Sequence, residues 1–454
     1  MALVLLAAAA PVAAGAQDLR SGPYQLPYKN TYVKEVFVAE NDFRTMKPET
    51  IRPRPFAEAR KILPAPIWEG HDREIRADGS DCFERYDPTS TGPNLLPWTK
   101  LMYYRQFGDI DRLHKVFPAL CAYAKWWKLN RTWPNGTYWS SGWGTGMDNT
   151  PRVPEGYNQI FSNGHMEWLD ANLQQMLVNE SLLQIGFYIE RWQEIEEVED
   201  ENRFLKKHIN DFMWNDAEGF LFDRYADGSL GTAKGIYAYW ALQTDVLGKE
   251  RLDRFVAHLS DSTEFDRPHR VPSLSADHRK YNALGRYWQG GVWPGANYMV
   301  IDGLWRKGYR AEAQRIAENH YAAVFEVWKN TGTFWEYYAP EKLEPGFMAR
   351  KDFVGWTGLP PIAVFIEYIL GIKSDYSERR IEWDLTRTEA HGIERYPFGP
   401  DGVVDLRVRA RKSADETPAV TVSTNVPFEL VVTWGDGRSS TVQVEKSGSV
   451  KLNQ

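Results

Sequence analysis

From about residue 92 onward, apolar residues recur at three- and four-residue spacing, the signature of amphipathic helices. The pattern predicts nine of them, over 92–107, 110–129, 164–190, 191–213, 235–247, 249–260, 293–307, 310–329 and 357–371. "FGD" at 107–109 and "KGYR" at 307–310 read as tight turns, so the helices they join form hairpins. Long connections alternate with these short ones. The long pieces, 131–162, 261–293 and 331–356, carry runs of Trp and Gly. Short turns on one side and long decorated loops on the other predict a toroid of helical hairpins with its site on the long-loop face. After about residue 375 the period changes to two: "GVVDLRVRAR", "AVTVSTN", "FELVVTW" and "STVQVEK" alternate apolar and polar, with a turn at "GDG" 435–437. A small antiparallel β domain of sandwich type is expected over 376–454, after a helical domain at 91–375. Residues 17–90 show little periodicity and are rich in Pro and charge, as in "RPRPF".

At 454 residues and 52.3 kDa the chain is long enough for one large core and a smaller one. Its net charge is -7, and no block of Lys or Arg stands out, which argues against nucleic acid as a partner. Aromatic residues make up 14% of the chain and Trp alone accounts for 19 positions. Flat indole faces suit the apolar C–H faces of sugar rings, so composition favours a small carbohydrate as partner. The opening "MALVLLAAAAPVAAGAQDLR" reads as a secretory signal cleaved near Ala16, which places the protein in the periplasm or outside the cell. The run is too short to span a bilayer. Cys82 and Cys121 form no disulfide framework, and their spacing to histidines suggests no metal site.

Two acids stand out by context. Asp148 lies in "GTGMDNTPR" and Glu336 in "TGTFWEYYAP", both in long aromatic loops between helices. Hydrolysis of a glycosidic bond needs two carboxyl groups, one to protonate the leaving oxygen and one to activate water or attack the anomeric carbon. Each loop supplies a tryptophan, Trp143 and Trp335, whose packing would desolvate a carboxyl and keep it protonated near neutral pH. Plainer readings stand beside this one. Asp148-Asn149 after Gly is a common turn element, because both side chains bond their own backbone. Glu336 could face solvent. "YWQGGVWPGANY" at 287–298 could be a loop and a helix start with Pro294 in its first turn.

Taken in order, "SGWGTGMDNTPR", "YWQGGVWPGANYMVIDGL", "TFWEYYAPE" and "FVGWTGLPPIAVFIEYILG" resemble the motifs of glycoside hydrolase family 63. That group of inverting α-glycosidases includes processing α-glucosidase and mannosylglycerate or glucosylglycerate hydrolase-like enzymes, and is related in fold to trehalases. The resemblance implies a mostly α, (α/α)6 toroid, with Asp148 as general acid and Glu336 as general base. It implies no metal and no organic cofactor. Trp143 and Trp293 would line the sugar pocket, with Trp335, Asn149, Gln289 and Arg152 as further contacts; a structural salt bridge is an equal reading for Arg152. Trp356 would start the last helix and pack in the core, and His165 would be a helix-start histidine. Nine helices fall short of the twelve such a ring holds. The shortfall lies before residue 92, where "EGHDREIRADGSDCFERYDP" reads as an internal deletion or a wrongly joined gene. Trehalase-like activity and a non-catalytic sugar-binding derivative are the alternatives. An epimerase is disfavoured, because neither acid loop carries a histidine.

Overall fold

The computed structural model describes residues 92–452 apart from 161, 192–194 and 446. The expected signal (1–16), the irregular segment (17–90) and the junction read as an internal deletion lie outside the described residues.

All nine predicted segments contain helix. The α-helices are α1 (Leu96–Phe107), α2 (Ile110–Asn130), α3 (Leu169–Tyr188), α4 (Glu196–Phe212), α5 (Lys249–Ala257), α6 (Pro294–Arg306) and α7 (Arg310–Thr331). Two segments are helical in a different winding. Residues Ile236–Gln243 form a 3-10 helix, and α8 (Pro360–Ile369) is wound wide, with Val364 and Leu370 donating five residues back. Local chemistry sets the ends. Gly108 closes α1 at φ +69°, where its N–H reaches the Tyr104 carbonyl, and Asp109 then caps α2 by accepting from the Arg112 N–H. The helix expected from 164 begins only at Leu169, because Met166–Glu167 pair with Arg224–Tyr225 as a short antiparallel ribbon.

Packing follows chain order. Helix α3 lies against α1, α2 and α4; α6 lies against the 3-10 helix; α7 lies between α6 and α8. Fifteen of the twenty residues of α3 are buried, including Asp170, Asn172, Gln175 and Asn179, so α3 is an interior stave rather than an amphipathic surface helix. One large cluster of buried residues runs from Trp127 through Trp168, Tyr237 and Trp293 to Ile369. Among the described residues no helix is long and apolar enough to cross a membrane.

The chain ends in two four-stranded sheets packed face to face. Their strands are β1 (Ile372–Asp375), β2 (Arg380–Leu385), β3 (His391–Phe398), β4 (Gly402–Val408), β5 (Val420–Thr424), β6 (Phe428–Trp434), β7 (Arg438–Val444) and β8 (Gly448–Val450). One sheet has the order β7-β6-β2-β1 and the other β8-β5-β4-β3. The expectation of a purely antiparallel domain needs correction. Strands β2 and β6 run parallel, with Leu430 opposite Ile381 and Val432 opposite Trp383. A period-two pattern records which face is buried but not strand direction, and β6 enters this sheet only after the chain has crossed to the other one. Inward residues of both sheets, among them Trp383, Leu430, Leu406 and Val422, form a second core. Phe365 of α8 packs against both cores, and Arg310 bonds Asp384 across the seam at 2.8 Å.

Candidate active site

The three long loops meet. The first is built around a single helical turn, Gly142–Thr145, whose Ser141 hydroxyl accepts from the Gly144 N–H at 2.9 Å. A Cβ on Gly142 would collide with the carbonyls of Gln159 and Asp148, so only glycine lets the loop fold this tightly. Asp148 follows, half-buried. Behind it, Arg152 is buried, with four hydrogen bonds to the carboxylates of Asp170 and Asp223 at 2.6 to 2.9 Å. Its guanidinium is sandwiched between Trp168 (4.4 Å) and Tyr237 (3.7 Å). The sugar contact expected of Arg152 is therefore corrected. Its side chain is 1% exposed, and it anchors the back of the Asp148 loop to the start of α3.

The second loop is fastened to the first through Asn149. Its Oδ1 accepts from the Trp288 N–H (2.8 Å), its Nδ2 donates to the Arg286 carbonyl (3.3 Å), and its own carbonyl accepts from Gln289 Nε2 (3.1 Å). Asn149 and Gln289, expected to touch sugar, use these groups to join two loops. Between them sits Tyr287, at φ +57°, a conformation uncommon for a large side chain. Gly291 N–H and Trp293 Nε1 both donate to its carbonyl and hold it there. Its hydroxyl lies close enough to the Asp148 carboxylate to favour the ionised form.

Beneath Tyr287 lies an aromatic stack. Trp288 and Trp293 are parallel at 4.0 Å, and Tyr337 continues the stack at 4.5 Å from Trp293. Tyr287 stands edge-on to Trp293 (5.0 Å) and Tyr337 (5.6 Å). Trp293 is only 3% exposed, so it backs Tyr287 from inside the stack and is not an open face of the pocket. Trp143, on the first loop, is 37% exposed.

The third loop carries Glu336, also half-buried. Its N–H donates to the Arg350 carbonyl (3.0 Å), and its carbonyl accepts from Trp356 Nε1 (2.7 Å). Trp356 is thus an exposed hydrogen-bonding residue beside Glu336, not the core residue expected. Trp335 turns toward α7, giving its indole N–H to Thr331 (3.0 Å) and packing with Val292, Val324, Val327 and Tyr338. That packing ties it to the apolar cluster at the end of α7. Val292 and Tyr338 exchange both backbone hydrogen bonds, which locks the second loop to the third. His165 lies in the turn ahead of α3 at φ +46°, not at the helix start.

The electrostatics follow from this geometry. Burial is the main cause that pushes the Asp148 carboxyl up to about 6; the nearby Glu336 charge adds to it, while its backbone and the Tyr287 hydroxyl pull it down. Burial, then Asp148 and Glu336, raise the Tyr287 phenol, so it remains a donor. Both acids therefore act on Tyr287, and Glu336 acts on Asp148. Tyr287, Trp288 and Tyr337 were not singled out from the sequence. Tyr287 stood at the head of a quoted motif, and the paired glycines at 290–291 were the one hint of unusual backbone there.

A family model for the mannosylglycerate hydrolase MGH1-like glycoside hydrolase domain matches residues 70–353. An uncharacterized protein of Borreliella burgdorferi is 24% identical over 315 residues, covering 66% of this chain and 64% of that protein. A probable mannosyl-oligosaccharide glucosidase of Schizosaccharomyces pombe is 22% identical over 284 residues, covering 55% of this chain and 34% of the relative. The chain thus spans less than two thirds of the length of these curated relatives. The crystal structure of a GH63 mannosylglycerate hydrolase from Thermus thermophilus in complex with glucose superposes with a TM-score of 0.51 at 19% identity, over 75% of this chain and 89% of that one. With its motifs in order, three loops gathered around two acids, and more than half its length within the family model, the chain belongs to the MGH1-like mannosylglycerate hydrolase family of glycoside hydrolases.

Proposed function

We propose that the protein is an inverting exo-α-glycosidase acting on a small α-glucoside or α-mannoside, of glycerate or oligosaccharide type. One observation carries this reading: Asp148, raised to about 6 mainly by burial, lies within reach of the Tyr287 hydroxyl and of the Glu336 charge where three loops join. In this reading Asp148 is the general acid. It gives its proton to the glycosidic oxygen as the bond to the anomeric carbon breaks. Glu336 is the general base. It takes a proton from the water that attacks the opposite face, so the sugar leaves with inverted configuration. The Tyr287 hydroxyl favours the ionised Asp148 carboxyl, and Trp143 offers its face to the sugar. Residues 91–375 are read as an (α/α)6-type catalytic domain, with the sandwich covering one side of the ring. The apolar leader supports export. The relatives' names, mannosylglycerate hydrolase and mannosyl-oligosaccharide glucosidase, supply the two substrate classes.

The test follows the anomeric protons by NMR during hydrolysis of mannosylglycerate, glucosylglycerate, kojibiose, trehalose and a nitrophenyl α-glucoside. Initial release of the β-anomer is expected. Initial release of the α-anomer overturns the inverting assignment. Asp148→Asn is expected to lower kcat by about 10²–10⁴-fold on substrates with a poor leaving group, and unchanged activity removes Asp148 from the acid role.

A further inference from the structure

Under the joint between the second and third loops lie two histidines that the proposed chemistry does not use. His269 and His320 are both fully buried, and His269 Nε2 faces His320 Nδ1 at 2.8 Å. His320 is on α7. His269 belongs to a short segment, 268–271, clasped from several sides. Asn319 of α7 accepts from the Arg270 N–H (2.9 Å) and donates to the Pro268 carbonyl (3.0 Å). Asn297 of α6 accepts from the Val271 N–H (2.7 Å) and donates to the Val271 carbonyl (3.0 Å). The His269 N–H itself donates to the Pro340 carbonyl on the Glu336 loop (2.9 Å), and its ring lies 5.5 Å from that of Tyr338. Tyr338 is the residue that pairs with Val292. The chain continues from Val292 back to Tyr287 and from Tyr338 back to Glu336.

We propose that His269 and His320 are a positioning pair: their single shared hydrogen bond, kept in an apolar setting that excludes charge, holds the Tyr287 and Glu336 loops in register on α7. This rests on the reading of Asp148 and Glu336 as the acting acids. One imidazole donates and the other accepts; a first proton on the donor's second nitrogen would keep the bond but leave a charge in an apolar setting, and a second proton, on the acceptor, would remove the bond. No carboxylate acts on either ring to offset that charge; burial dominates for both, and for His269 the neighbouring ring adds to it. The charged groups nearby in the chain are engaged elsewhere: Arg267 with Glu341, Arg270 with Asp266, and Arg315 with Glu312 and Asp266. Tyr338, on the third loop, keeps its proton. Burial holds both rings below the ordinary imidazole value, so an opened joint takes up protons that the closed one refuses. The open population therefore grows by up to about tenfold per ring for each pH unit below that value.

The test uses His269→Gln/His320→Asn. The Gln amide nitrogen stands where Nε2 stood and the Asn oxygen where Nδ1 stood, so a hydrogen bond is kept and nothing titrates. Expected are a kcat at pH 7 within about twofold of the parent and an acid limb of the pH–rate profile displaced about one unit lower. His320→Leu, which removes the bond, should lower kcat by roughly tenfold or more with KM changed less. An acid limb that does not move in a folded double variant overturns the proposal. Hydrogen exchange of the unaltered protein gives an arm independent of activity and of any variant's folding. The Val292 and Tyr338 amides should lose protection between pH 7 and 5, after correction for intrinsic rates, while amides inside α3 do not. Equal protection at both pH values overturns the pair's role. If no glycoside is hydrolysed at any pH, it is the assignment of Asp148 and Glu336 that fails, and the exchange result still decides the histidines.

Discussion

At the scale of single residues, the Tyr287 hydroxyl and the Asp148 carboxyl influence one another's proton. The hydroxyl favours the ionised carboxyl, so removing it in Tyr287→Phe raises Asp148 further above 6. A general acid works when protonated. The alkaline limb of kcat/KM is therefore expected near pH 6 in the parent and about one unit higher in Tyr287→Phe. The same carboxyl makes a second claim testable. Because its folded value exceeds the ordinary one, the folded state binds the extra proton, and the stability this provides is lost as pH rises through about 6. Asp148→Asn should thus be more stable than the parent at pH 7.5, by about 1–2 kcal/mol after allowance for partial exposure, while losing activity. Urea unfolding at pH 5 and 7.5 checks the sign, since the gain should shrink at the lower pH. These residues also mark how far the sequence could be read. Its motifs located the segments that meet, because Gly, Trp and paired acids are visible in one dimension. What each side chain holds was not visible. Asn149, Gln289 and Arg152 carry the polarity of sugar contacts, yet they bond protein groups whose neighbours come from 18 to 140 residues away.

At the scale of elements, most of the nine helical segments were legible because burial on one side imposes a 3.6-residue period, α3 being an exception with fifteen of its twenty residues buried. Their winding was not: the 3-10 segment is buried on nearly every residue, so no solvent-facing stripe remains to define a period. Nor was the parallel pairing of β2 with β6, which depends on the path between sheets. Helix α3 supports the most direct prediction at this level. Its first residues and Asp223 hold Arg152 through two buried carboxylates, and Asp223 also accepts from the Leu169 N–H (2.9 Å). Arg152→Met leaves both carboxylates without their cation. It should cost about 3–5 kcal/mol at pH 7, and less at low pH where protons can replace the missing charge. Arg152→Lys should rescue little, because an ammonium cannot fork to two carboxylates or stack between Trp168 and Tyr237. Denaturant midpoints of the two variants, compared with the parent, decide this.

At the scale of the whole molecule, two cores share α8. Leu370 belongs to the core of the sandwich, and Phe365 and Ile366 pack against it. Lys373 of β1 lies over the rings of Trp305 and Tyr368 in the helical part, at 4.3 and 4.0 Å. A chain ending at residue 371 would bare this face, and exposed apolar patches favour association. Sedimentation velocity should show it aggregated, whereas the intact chain remains a discrete species. The riveted joint between the three loops has a further consequence for how the molecule can change over generations. The links that hold Asp148, Tyr287 and Glu336 in mutual register run largely through backbone groups and through Asn149, Gln289 and the Val292–Tyr338 pair. The exposed side chains of Arg286 and Arg350 on the same loops form no ion pair among the described residues, although their carbonyls serve in the joint. On the proposed function, rim side chains can be exchanged while the joint stays whole, so drift in the substrate recognised need not drag the two acids with it.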